Sequence, residues 1–271
     1  MSFYEFLGFK KEPFSNSPDP GFFYNLKEHR LVLNKLEIAI RQKRGLMVII
    51  GDIGLGKTTI TRKLLQNFDG ENDYLFYPML NPSFSTEFQF LEMLIKMFKI
   101  SRIRRSTIEY RQAVQDFLFK TGVEEKKTVV LIIDEGQKLS EDILEILRVF
   151  LNYETNEYKL LQLVILAQME ILPKIKKMRN LSDRICFQHL LTPITLDETR
   201  ELILFRLHEA GLENGSALFT EEAIKKIYFS SKGYLRRIIF LAHNSLEKII
   251  MEESHLVDEA VVDAVVKDLS F

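Results

Sequence analysis

Two short stretches of this 271-residue chain carry the residue types that phosphate chemistry needs. Gly51-Asp52-Ile53-Gly54-Leu55-Gly56-Lys57-Thr58 fits G-x-x-x-x-G-K-[ST] at every fixed position, and Thr59 completes the phosphate-binding set. Glycines in that pattern let successive backbone N–H groups curl around phosphates, at the start of a helix whose dipole favours an anion. Lys57 supplies a point charge for the outer phosphates, and the Thr58 hydroxyl supplies a ligand for Mg²⁺. The second stretch, Val129-Val130-Leu131-Ile132-Ile133-Asp134-Glu135, is an apolar run that ends in two carboxylates. Read as a central strand, it delivers both acids to the C-terminal edge of a sheet, where α/β sites lie. Asp134 is then the acid that holds Mg²⁺, and Glu135 the general base that polarises an attacking water. The two motifs together predict ATP and Mg²⁺ as ligands.

Elements able to position these residues are visible around them. Apolar runs at Leu46–Ile50, Tyr74–Tyr77, Thr128–Ile133, Leu161–Ala167 and Arg184–His189 read as strands buried on both faces. Amphipathic segments near Lys57–Asn67, Phe84–Phe98, Thr107–Phe119, Glu141–Asn152 and Met169–Met178 separate them, and another helix is expected over Leu26–Gln42. Strands alternating with helices of that length imply right-handed crossovers and a parallel sheet. After Pro193 the strand pattern stops. Thr195-Leu196-Asp197-Glu198 fits a capping box, Gly211 can end the helix it opens, and three more helices follow from Thr220, Tyr234 and Asp258. The expected fold is an α/β P-loop NTPase with a parallel-sheet sandwich and a small all-helical lid. Its domains are an aromatic and proline-rich arm over 1–25 packed on the ATPase core, the nucleotide-binding domain over 26–192, and the lid over 193–271.

Composition is that of an ordinary globular protein: 46% hydrophobic, 28% charged, net charge −1. Charge therefore points to neither nucleic acid nor membrane. The single cysteine, Cys186, excludes an internal disulfide, and its apolar neighbours suggest a buried structural thiol in a reducing compartment. No apolar segment approaches the roughly 18 residues needed to span a bilayer, and Met1-Ser2-Phe3-Tyr4-Glu5 lacks a signal-peptide pattern. A cytoplasmic protein is expected.

Beyond the two motifs, the chain resembles one family almost from end to end. Asp134-Glu135-Gly136-Gln137-Lys138-Leu139 is similar to the IDEAQ-x-L box of the ExeA/GspA-type AAA+ ATPases. Phe6-Leu7-Gly8-Phe9, Pro13-Phe14, Pro18-Asp19-Pro20 and Phe22-Phe23-Tyr24 resemble the N-terminal signature of that family. Leu151-Asn152-Tyr153-Glu154-Thr155, Leu166-Ala167-Gln168-Met169-Glu170, Leu181-Ser182-Asp183-Arg184-Ile185 and Ser231-Lys232-Gly233-Tyr234-Leu235-Arg236 resemble its later boxes, with Leu235 where the family has proline. The resemblance implies that Gln168 is the sensor 1 residue and that Arg184 is an arginine finger acting on a neighbour's ATP. It gives Arg236 the sensor 2 place, with Arg237 as the alternative. Guanidinium forks suit phosphate oxygens in both roles. The membrane span and peptidoglycan-binding domain that often continue secretion-type members are not among these 271 residues.

The resemblance implies a self-associating ATPase that assembles or remodels a protein partner. One alternative is a DNA-binding regulator of the transposition type, like the TniB proteins. For DNA, the segment Lys99–Arg111 offers Arg102, Arg104, Arg105 and Arg111 around Ile100, Ile103 and Tyr110. Another is an ATP-gated interaction module with little turnover. An ABC transporter ATPase is disfavoured by the lack of an LSGGQ-like signature.

Overall fold

Three of the apolar runs become fully buried strands because both of their faces need cover. The computed structural model describes residues 7–15, 24, 26–101, 105–212 and 218–268. Strands β1 (Leu46–Ile50), β2 (Tyr74–Met79), β3 (Thr128–Ile133), β4 (Leu161–Ala167) and β5 (Ile185–Leu190) form one sheet in the order β2-β3-β4-β1-β5. Every neighbouring pair is parallel. Successive side chains point to opposite faces, so each central strand fills two layers. Val48, Leu131 and Ile165 lie in a core with Leu94, Val114, Leu144 and Leu147. These last come from α3 (Glu87–Met97), α4 (Thr107–Phe119) and α5 (Glu141–Phe150). Met47, Ile49, Val130, Ile132 and Leu166 are buried on the other face. Two further helices, α1 (Lys27–Arg41) and α2 (Lys57–Asn67), carry matching stripes with Leu33, Leu36, Ile40, Ile60 and Leu64.

The edge strands depart from the expectation of two buried faces. β5 alternates half-buried and exposed residues, and β2 is only partly buried. Each pairs on one side alone, and in β2 that leaves room for Pro78, which has no N–H to donate. Cys186 falls on the exposed face of β5, so the thiol is not buried as expected. Neighbouring atoms still desolvate it enough to raise its pKa. The segment expected over Met169–Met178 holds α6 (Ile171–Lys177), and a short helix α7 (Arg179–Ser182) follows it.

Among the described residues four helices follow the sheet: α8 (Leu196–Glu209), α9 (Glu221–Ser231), α10 (Leu235–Met251) and α11 (Glu259–Asp268). The Thr195–Glu198 capping box forms, with the Thr195 hydroxyl accepting from the Glu198 amide and the Glu198 carboxylate from the Thr195 amide. Gly211, at φ +100°, closes α8 in a conformation that side chains with a Cβ avoid. Ile203, Leu207, Ile224, Ile238, Leu246 and Val262 make a second hydrophobic core.

Backbone contacts divide the chain into two compact units. One comprises Glu28–Asp52 and Ile60–Leu191. The other comprises Met1–Lys27, Ile53–Thr59 and Thr192–Phe271. The described residues of the N-terminal arm group with the C-terminal helices, where the expectation was an arm packed on the ATPase core. The physical reason is apolar surface that those helices cannot cover alone. Phe9, Phe14 and Leu26 join the second core, the Lys10 amide donates to the Ala210 carbonyl at 2.8 Å, and Arg206 Nη1 donates to the Pro13 carbonyl at 3.2 Å. The arm motifs Phe6, Pro18-Asp19-Pro20 and Phe22-Phe23 lie outside the described residues.

Candidate functional site

The glycine-rich loop leaves the end of β1 and becomes the first turn of α2. Its start is anchored on the sheet, where the Gly51 amide donates to the Ala167 carbonyl at 3.0 Å. Gly54 and Gly56 then take φ of +86° and +87°, the left-handed region that turns the loop back on itself. Gly54 meets a second demand. A Cβ there would lie 3.0 Å from the Arg236 Cβ, and the Gly54 carbonyl accepts from the Arg236 amide at 3.1 Å. That amide belongs to the first turn of α10, where helix N–H groups lack intrahelical partners.

Charge in the loop is arranged for an anion. Lys57 is only 7% exposed and opens α2, whose first turn contains no acidic residue. A cation at the positive end of a helix dipole opposes the usual preference, and a phosphate there reverses the sign of that interaction. The residues present therefore fit a nucleotide. Thr58 hydroxyl and Asp134 carboxylate oxygens are hard donors of the kind Mg²⁺ takes.

The acidic end of β3 is a tightly hydrogen-bonded turn. Asp134 is 7% exposed, and its amide donates to the Met79 carbonyl at 2.9 Å, which continues the pairing with β2. Glu135 adopts φ 58° and ψ 35°, and its amide donates to Asp134 Oδ1 at 2.9 Å. A 3₁₀ turn over Gly136–Lys138 follows directly. Gly136 is required there by space: a Cβ would come within 2.4 Å of Ile165 Cγ2 on β4.

That close approach brings together residues far apart in sequence. Gln168, just past β4, reaches Glu135 with Nε2 at 3.4 Å from Oε2. Gln137 Nε2 donates to the same oxygen at 2.7 Å, and Gln137 Oε1 accepts from the Gln168 amide at 3.0 Å. Lys174 Nζ on α6 donates to the carbonyls of Gln137 and Leu139 at 2.6 and 2.7 Å. Gln137 and Lys174 were not singled out by the sequence. The available signal was an amide two residues after the acid, whose target is set only by how the turn meets β4.

Arg184 stands elsewhere. It precedes β5, whose Ile185 is in register with Leu46 at the start of β1. Arg184 is thus at the N-terminal edge of the sheet, and the glycine loop leaves the C-terminal edge, about 17 Å away along five residues of strand. Its guanidinium is held by the Asn152 side chain, with Nε 2.9 Å from Oδ1, and by the Asn180 carbonyl.

The two lid arginines have different surroundings. Arg236 adjoins Gly54, as above. The Arg237 guanidinium lies 5.4 Å from the Tyr234 ring centroid and lines a cavity of about 290 Å³ with Ser230, Lys232, Leu241 and Val266. The expected basic patch is largely neutralised where it is described. Arg105 Nη2 pairs with Glu92 at 3.0 Å and Arg111 Nη2 with Glu87 at 2.7 Å. Arg102, Ile103 and Arg104 lie outside the described residues.

Comparison with known proteins agrees with this fold. A family model described as an AAA domain matches residues 40–175. General secretion pathway protein A of Aeromonas hydrophila is 31% identical over 254 residues, covering 93% of this chain. The chain spans 45% of that relative's length. Among solved structures, the Aeropyrum pernix ORC2 protein in its ADPNP–ADP complexes superposes with a TM-score of 0.68 at 16% identity, over 96% of this chain and 72% of that one. Drosophila ORC bound to DNA gives 0.65 at 18%, over 97% and 67%. The Thermotoga maritima RuvB Holliday junction branch migration motor gives 0.60 at 15%, over 93% and 74%. At these identities the structural likeness shows the fold. Among the described residues no helix is long and apolar enough to cross a membrane.

Proposed function

The chain belongs to the AAA domain family, and on that premise we propose that it binds ATP with Mg²⁺ and hydrolyses it to assemble or remodel a protein partner. The observation that carries the proposal is the setting of Glu135, a carboxylate at the end of a central strand with Gln168 at 3.4 Å.

In this reading the amides of Gly51–Thr59 and the Lys57 ammonium bind the phosphates, and Thr58 and Asp134 hold the metal. Mg²⁺, when bound, neutralises charge on the phosphate oxygens. Glu135 accepts a proton from the attacking water, and Gln168 orients that water or the γ-phosphate. Arg236 serves the nucleotide from the lid, a role supported over Arg237 by the contact with Gly54. Arg184 acts on the nucleotide of an adjoining copy, because its own loop is at the other edge of the sheet. The domain division that goes with this function is a nucleotide-binding domain over 26–192 and a lid over 193–271, with the arm assigned to the lid. A protein partner, as opposed to DNA, is favoured by the secretion relative and by the pairing of Arg105 and Arg111 with glutamates.

Glu135→Gln is the test. It should bind ATP with wild-type affinity and release phosphate roughly 10²–10⁴ times more slowly, the size of a general-base contribution. Wild-type turnover in that variant would assign the water to another residue.

A further inference from the structure

The oxygens of Glu135 are unequal. Oε2 accepts from Gln137 Nε2 at 2.7 Å, has Gln168 Nε2 at 3.4 Å, and lies 3.9 Å from Lys138 Nζ. Among the described residues no hydrogen bond reaches Oε1. The Gln137 amide has only one workable orientation. Its Oε1 faces the backbone N–H of Gln168, which can only donate, so its NH₂ must face the carboxylate. The turn that carries Gln137 is fixed in three further ways. Gly136 is pressed against Ile165, Lys174 binds the Gln137 and Leu139 carbonyls, and the Lys138 amide donates to the Glu135 carbonyl at 2.9 Å.

We propose that Gln137 is a positioning residue for hydrolysis: its side-chain amide ties Glu135 Oε2 to the end of β4 and leaves Oε1 as the oxygen that takes the proton from water. The inference rests on the role given to Glu135 above. Without the clasp, a half-buried carboxylate at a turn can rotate about its side-chain bonds and share its time between orientations. With it, the base stays aimed and is tied to Gln168, the residue that follows β4. The contribution is to orientation, so it belongs in turnover and not in nucleotide affinity.

Steady-state phosphate release by the purified chain, with calorimetric binding of a slowly hydrolysed ATP analogue, separates the two. Gln137→Leu keeps the bulk and removes the amide. Its kcat should fall roughly 10- to 100-fold, the cost of a misplaced reacting group, with KM and analogue affinity little changed. Gln137→Glu retains an oxygen for the Gln168 amide but sets a carboxylate against Oε2, and kcat should fall at least as far. This near-isosteric change decides the matter if the leucine variant melts early. Added to Glu135→Gln, either change should cause no further loss, because the group it positions is already gone. Wild-type kcat in either folded variant would overturn the inference. So would an equal loss in both backgrounds, which is the signature of a merely structural role. Full turnover in Glu135→Gln alone would instead remove the reading of Glu135, and this inference with it.

Discussion

At the scale of single residues, the loop and the acidic turn were legible because their chemistry is local. Each glycine, lysine and threonine of Gly51–Thr58 has its position set by neighbours in sequence. Lys57→Ala should abolish tight ATP binding while the fold persists, since it removes the point charge in the phosphate cradle. Calorimetric titration checks this, and near-normal affinity in the folded variant would displace the site. Gly54→Ala tests a demand the sequence did not reveal. The left-handed conformation costs a residue with a Cβ about 1–2 kcal/mol, and the added carbon would meet Arg236 Cβ at 3.0 Å. The variant should therefore lose both nucleotide affinity and protection of the first turn of α10 in hydrogen exchange. Protection equal to wild type would argue that the Gly54–Arg236 contact is incidental. The Gln137 clasp and the ion pairs of Arg105 and Arg111 were not legible, because their partners come from other elements.

At the scale of elements, strand and helix positions followed from periodicity. Strands β3 and β4 match the expected runs at both ends, and α4 does too. The edge strands were misjudged for a physical reason: a short apolar run looks the same whether one face or two is covered. Arm placement was likewise invisible, since aromatic residues show that a surface must be met without showing which one. Tyr24 offers a handle on that packing. Its hydroxyl donates to Glu201 Oε2 on α8 at 2.7 Å, and its ring lies 5.2 Å from that of Phe205. Burial, then the hydrogen bond to Glu201, push its pKa up to about 12 from 10.0. A raised folded-state pKa favours the protonated form, so the stability it contributes is full below about pH 10 and is lost as pH rises toward about 12. Thermal melts across that window should show the loss, and Tyr24→Phe should lack this part of it. An identical pH profile in the variant would mean that the contact does not hold the arm.

At the scale of the whole molecule, Arg184 before β5 and Glu135 after β3 lie at opposite edges of one parallel sheet. A sheet of parallel strands puts all its C-terminal ends on one side, so a residue before β5 cannot serve a loop after β1 in the same chain. ATP or a slowly hydrolysed analogue should then shift the protein to larger assemblies, which sedimentation velocity can follow. Arg184→Ala should retain nucleotide binding and lose turnover by up to roughly 10³–10⁵, the range of an arginine finger. The most direct measurement mixes Arg184→Ala with Glu135→Gln chains and follows phosphate release. Each variant spoils a different half of an interface, so some interfaces in a mixed assembly have both halves intact. Turnover, nearly absent in either variant alone, should partly return on mixing. No return in assemblies verified to contain both chains, or full turnover by a strict monomer, would contradict it.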